Sequence, residues 1–164
     1  MSAFNFPQLQ GQTISITNDI AINIAINAGG AIETPVIRND DNTTNYLEVP
    51  AGAWLLTGYI QVNTDNALAT TILTLQAQIL NFSDNLGNDG VVVGLGPVSY
   101  NLDIPANTPT QFHQVSLAVS CPVTSFFSLF LTMATNNQIV NVPIGQTSLY
   151  AQYMGPTSTY NINV

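Results

Sequence analysis

Pro50-Ala51-Gly52-Ala53-Trp54-Leu55-Leu56-Thr57-Gly58-Tyr59-Ile60-Gln61-Val62-Asn63 is the stretch that decides what kind of fold this chain takes. Its first three residues are turn formers, proline fixing φ and glycine tolerating conformations that other residues avoid. From Ala53 onward the large apolar side chains recur at every second position. That is the period of a strand with a buried face, not the 3.6 period of a helix. Trp54, Leu56 and Ile60 are assigned to one face of this strand, and Leu55, Tyr59 and Val62 to the other.

The same alternation recurs on both sides of the Trp54 strand. Upstream, Ile20, Ile22, Ile24 and Ile26 interleave with Ala21, Asn23 and Ala25. Downstream, Leu73, Leu75, Ala77 and Ile79 alternate with polar residues, as do Val115, Leu117, Val119 and Cys121. Phe127, Leu129, Leu131 and Met133 alternate with Phe126, Ser128, Phe130 and Thr132, and Ser148 to Met154 closes the series. Shorter strands are predicted at residues 13–17, 33–38, 46–49, 91–93, 98–102 and 139–142. Turn formers separate them, among them Ala28-Gly29-Gly30, Asn39-Asp40-Asp41-Asn42, Gly87-Asn88-Asp89-Gly90 and Pro105-Ala106-Asn107. No run of ten residues carries a helical stripe. The expected fold is an all-β antiparallel sandwich in one domain over residues 13–164, preceded by an arm at residues 1–12.

Charge is scarce. The 164 residues hold nine acids, one arginine (Arg38) and no lysine, for a net charge of −8. One arginine cannot neutralise the row of phosphates that nucleic-acid binding requires, and no polybasic patch exists to dock the chain on anionic lipid. No apolar run reaches the ~20 residues of a membrane-spanning helix. A single cysteine makes no internal disulfide, and the opening Met-Ser-Ala-Phe-Asn-Phe-Pro has neither the positive nor the apolar region of a secretory leader. Surface polarity falls to uncharged groups, nineteen asparagines foremost.

The Pro50 to Ile60 segment resembles the P-x-G-x-W/Y-x-hydrophobic opening of the central strand in C1q/TNF-like jelly rolls, including their viral and phage structural members. The downstream order is similar over residues 30 to 155: a threonine-rich strand (Thr70 to Ile79), a long strand (Phe112 to Val123), an aromatic strand (Ser125 to Thr135) and the closing Ser148 strand. Residues 1 to 29 have no counterpart, so the isoleucine ladder reads either as an added strand or as a contact with another subunit. The resemblance implies a jelly roll of eight or ten strands and, commonly, a compact trimer.

The residues themselves also suggest association. A sandwich strand needs one apolar face, yet Phe126 and Phe130 oppose Phe127, Leu129, Leu131 and Met133, and the Trp54 strand is apolar on both sides. Exposed aromatic side chains are costly and aggregation-prone. Trp54, Tyr59, Phe126, Phe130, Tyr150 and Tyr153 are therefore the candidate contacts between subunits, with covering loops as the competing explanation.

Chemistry has few carriers. His113 and Cys121 are each the sole residue of their type, His113 beside Phe112 in a strand and Cys121 in register with Val115, Leu117 and Val119. No G-x-S-x-G elbow is present, and zinc needs more histidines or cysteines than the chain holds. Asn39 to Asn42 and Asp84 to Asp89 offer oxygens without the order of a calcium loop, and turn chemistry accounts for them. Gly94-Leu95-Gly96-Pro97 precedes no helix, which rejects a dinucleotide site. Asn42-Thr43-Thr44 and Asn81-Phe82-Ser83 match the glycosylation pattern at a rate that an asparagine-rich chain reaches by chance.

The expectation is a non-enzymatic structural virion protein without a cofactor: a minor capsid, penton, decoration or fibre-head subunit on an outer shell or projection. Its partners would be copies of itself, in a symmetric oligomer of three, and other virion proteins. The alternative is a carbohydrate- or receptor-binding sandwich module that uses aromatic residues such as Trp54 and Tyr59.

Overall fold

A computed structural model describes residues 12–26, 31–63, 70–86, 89–104, 111–135 and 138–156. These residues form twelve strands. They are β1 (Thr13–Thr17), β2 (Ile22–Ile26), β3 (Ala31–Pro35), β4 (Leu47–Val49), β5 (Gly52–Val62), β6 (Thr70–Phe82), β7 (Val91–Leu95), β8 (Ser99–Ile104), β9 (Gln111–Cys121), β10 (Ser125–Thr135), β11 (Gln138–Val142) and β12 (Ser148–Gly155). The arm expected at residues 1–12 lies, but for Gln12, outside the described residues; the Gln12 carbonyl accepts a hydrogen bond from Tyr153 N.

One sheet has the order β1-β12-β5-β9, and the other has β3-β10-β6-β7. In the second sheet β4 shares the β3 side of β10, and β8 shares the β7 side of β6. Each main sheet thus has four ladder positions. All pairings are antiparallel, and the chain passes directly from one main sheet to the other between β4 and β5, β5 and β6, β8 and β9, and β9 and β10. That is a jelly roll.

The number of strands exceeds the expected eight or ten for two reasons. Two ladder positions are interrupted by excursions, and β2 pairs with β11 as an additional two-stranded ribbon. That ribbon decides the isoleucine ladder: Ile22 and Ile24 are buried in this chain's own core beside Val140 and Val142. An isolated bridge between Asn63 and Asn141 joins the ribbon to the end of β5.

Period two now has its physical counterpart. Trp54, Leu56, Ile60 and Val62 from β5 face Leu75, Ala77 and Ile79 from β6 and Phe127, Leu129, Leu131 and Met133 from β10 in one apolar core. Val62 belongs with Trp54 and not with Leu55 and Tyr59, because eight residues along a strand return to the same face. Gly58 sits where a Cβ would come within 2.5 Å of a Leu129 methyl, so the missing side chain lets the opposite sheet fill the space. Gly94 and Gly96 do the same at the β7 side, where added Cβ atoms would meet Leu117 and the Gln114 carbonyl.

Candidate functional site

The six aromatic candidates separate into three environments. Trp54 and Tyr153 are core residues, packed edge to face with ring centroids 4.9 Å apart. The Trp54 indole donates to the Pro50 carbonyl at 2.9 Å. Neither ring can meet another subunit or stack on a sugar, because this chain's own second sheet covers them. Both assignments are corrected on that ground.

Phe126 and Phe130 do point to the outer side of the second sheet, but the chain itself partly covers them. Between β3 and β4 the chain leaves the sheet and returns, placing Asn45 over Ser128, whose hydroxyl donates to its carbonyl at 2.8 Å. Tyr46 packs edge-on against Phe82, and Phe82 lies against Phe130. Phe82 is buried although it faces away from the sandwich core. The chain's own loop thus covers part of this strand's outer face and leaves Phe126 and Phe130 half-buried.

Tyr59 and Tyr150 are the two candidates at a free face. Tyr59 is 38% exposed, and the rings stack with centroids 5.8 Å apart and a 28° interplanar angle. Their hydroxyls lie 3.4 Å apart, which raises the Tyr59 pKa. They stand on the outer face of the β1-β12-β5-β9 sheet, in rows set by the ladder register. One row reads Thr17, Ser148, Tyr59, Gln114; the next reads Ser15, Tyr150, Thr57, Ser116; the third reads Thr13, Gln152, Leu55, Ala118.

None of the nine acids and not Arg38 falls on any of the four strands of this sheet. Glu33, Glu48 and Asp103 fall on strands of the other sheet, Asp19, Asp40, Asp41, Asp84 and Asp89 on connections, and Asp65 lies outside the described residues. Beside the neutral face runs an apolar edge: Val91, Val92 and Leu95 on β7, Val98 just after it, and Phe112 on β9, exposed by 37% to 70%. Sequence reading missed this face. Each strand's lack of charge was visible singly, but their membership of one sheet was not.

His113 and Cys121 occupy the same strand, eight residues apart, which is about 26 Å at ~3.3 Å per residue. They cannot act as a pair. Burial pushes the His113 pKa below its ordinary value of 6.5, and Nε2 has no partner among the described residues. The unfolded chain therefore binds the proton more readily than the folded one. Stability is full above about pH 7 and falls as pH drops through the unfolded-state value near 6.5. Thermal melting between pH 8 and pH 5 should show this loss in the native chain and not in His113→Leu; parallel curves would refute it. Burial also pushes the Cys121 thiol upward, away from the reactive thiolate.

The oxygen-rich turns spend their carboxylates locally. Asp41 accepts from the Thr43 hydroxyl and backbone N–H, and Asp89 accepts from both groups of Ser83. Each pKa is lowered, the side-chain hydroxyl being the main cause. Among the described residues no three histidines, cysteines or acids gather as a metal-binding group. No described helix is long and apolar enough to cross a membrane.

With both sheets and their outer faces placed, the chain is an all-β antiparallel jelly-roll sandwich of the TNF-like type. Among solved structures it is similar to the Eiger TNF of S. frugiperda, with a TM-score of 0.51, 9% identity, and coverage of 88% of this chain and 98% of that one. It is also similar to a chain of infectious bursal disease virus, Gx strain, with a TM-score of 0.51 and 14% identity. That match covers 87% of this chain and 31% of the viral one, so this chain spans about a third of the viral chain's length. No family model and no curated protein matches in sequence.

Proposed function

We infer that this protein is a non-enzymatic structural subunit of a virion whose copies join through the uncharged outer face of the β1-β12-β5-β9 sheet. The observation that carries this reading is the segregation of charge: at −8 net charge two copies repel, and the face bearing Tyr59 and Tyr150 is the one on which no charge has to be desolvated. Burying an unpaired charge costs several kcal/mol, so a neutral face is where association is least opposed. Four strands about 4.8 Å apart and up to eleven residues long present on the order of 600 Å². A stable interface takes about 800 Å² from each partner, and the apolar β7 and β9 edge adjoins the face to supply the remainder.

Where the face of one copy meets the adjoining edge of the next, the contact is head-to-tail, a geometry that forms a ring when the rotation between copies closes. Three copies is the closure that the TNF-like fold suggests. The virion placement is supported by the shared fold with the viral chain and by a composition unsuited to nucleic acid, which fits an outer shell or projection.

Size-exclusion chromatography with light scattering should return a trimer at micromolar concentration; a folded monomer would overturn the assembly. Tyr59→Lys with Tyr150→Lys places two charges on the face and should convert the oligomer to a folded monomer. An oligomer unchanged by both substitutions would move the interface elsewhere. Peptide mass spectrometry of purified particles tests the placement, and absence of the chain from them would refute it.

A further inference from the structure

On the opposite side of the molecule, the excursion between β3 and β4 builds a hollow of about 720 Å³. Its frame is a tight hairpin. Asn45 N bonds to the Ile37 carbonyl, Asn39 N to the Thr43 carbonyl, and Asn42 N to the Asn39 carbonyl, with Asn42 at φ +67°. A left-handed asparagine after a tight turn is an ordinary way to close a short hairpin. Asn39 and Asp41 side chains both bond to Thr43, which fixes the tip.

Arg38, the chain's one cation, forms part of the wall. Its Nε donates to the Pro35 carbonyl at 3.3 Å, one terminal nitrogen to Asn42 Oδ1 at 2.8 Å, and the other to Thr34 Oγ1 at 3.1 Å. Three of its five N–H groups are used. The other two have no partner among the described residues, while the three bonds hold the guanidinium plane in place. Thr44, Asn45, Tyr46 and, across the hollow, Asn85 and Leu86 complete the lining that matters here.

We propose that this hollow is a binding site for a neutral saccharide. The volume lies in the range of small-ligand sites, about 300–1,000 Å³, and suits one or two sugar rings. Amide and hydroxyl groups dominate the wall, and each asparagine side chain both donates and accepts, as sugar hydroxyls do. Tyr46 and Leu86 give the apolar surface against which the C–H face of a sugar ring packs. Charge selects against the competing ligands. Asp40 and Asp41 on the same hairpin outnumber the single guanidinium, and the whole chain repels anions, which disfavours phosphate, sulfate and acidic sugars. The bonded hairpin is already ordered, so binding does not have to order it. This site lies on the other sheet from the proposed assembly face, so either can fail without the other.

The test is saturation-transfer NMR on the intact chain, using a panel of neutral mono- and disaccharides with acidic sugars, inorganic phosphate and sulfate in separate arms. At least one neutral sugar should give saturable transfer. Asn42→Gly keeps the left-handed backbone while deleting the amide that orients Arg38, and Asn85→Ala removes a group on the far wall. Each should weaken that sugar's binding tenfold or more while thermal melting stays near the native value. No saturable transfer from any neutral sugar, binding of the anions instead, or binding unchanged in both variants would overturn the assignment.

Discussion

Trp54→Ala is expected to destabilise the folded chain by about 3–5 kcal/mol, the usual cost of truncating a buried tryptophan. The ring is 1% exposed and lies against Tyr153, and its Nε1 supplies the hydrogen bond on the Pro50 carbonyl. Truncation opens a cavity, removes an aromatic pair and takes away a partner of that carbonyl. Domains of this size are stable by roughly 5–15 kcal/mol, so one substitution removes a large fraction. Trp54→Phe should fall between, since it refills part of the space but lacks the indole N–H. The check is the denaturant midpoint at fixed protein concentration, because assembly makes apparent stability depend on concentration. A native midpoint for Trp54→Ala would refute the placement of this ring in the core.

Gly52→Ala is expected to cost about 2–5 kcal/mol, from backbone strain and overpacking together. Gly52 has φ +149°, and a Cβ there would lie 2.5 Å from a Tyr153 ring carbon and 3.1 Å from Trp54 Nε1. Both rings are locked in the core, so the methyl group has nowhere to go. Gly145→Ala separates the two causes: its φ is +67° with nothing within 4 Å, and it should lose only about 1–2 kcal/mol. Equal midpoints for the two variants would show that crowding against Tyr153 contributes nothing. The Pro-x-Gly-x-Trp spacing thus has a local physical meaning. Proline presents the carbonyl that the indole bonds, and glycine leaves room for the two rings.

The strands were legible because alternation is a property of a few consecutive residues. Ser125 to Thr135 shows this well, with the expected strand and β10 agreeing in extent. Shorter segments were displaced by a few residues, as where residues 33–38 were expected and β3 covers Ala31–Pro35. There the chain leaves the sheet at Val36 to build the hairpin, and Arg38, read as a strand end, became a pocket wall. Nothing local marked it, because Asn85 and Leu86 complete the hollow from the distant β6 to β7 connection.

The aromatic faces were legible as faces but not as surfaces. Phe126 and Phe130 alternate with the core residues whether a neighbouring subunit or the chain's own loop lies over them, so periodicity cannot separate the two. Trp54 and Tyr153 read as candidates beside Tyr59 and Tyr150 because all four are aromatic residues in strands. Their inward or outward direction depends on which side of the sheet meets the other sheet.

By itself, then, the sequence determined an all-β chain with strands of period two, turns between them, and one basic side chain against nine acids. Those properties follow from composition and from neighbours along the chain. Only the tertiary structure decided that β1, β12, β5 and β9 form one sheet, and so that the surface they share carries no formal charge. Pairing Thr13 with Gln152 closes nearly the whole chain on itself. A contact of that span is selected by how all the strands pack together, and no local pattern encodes it.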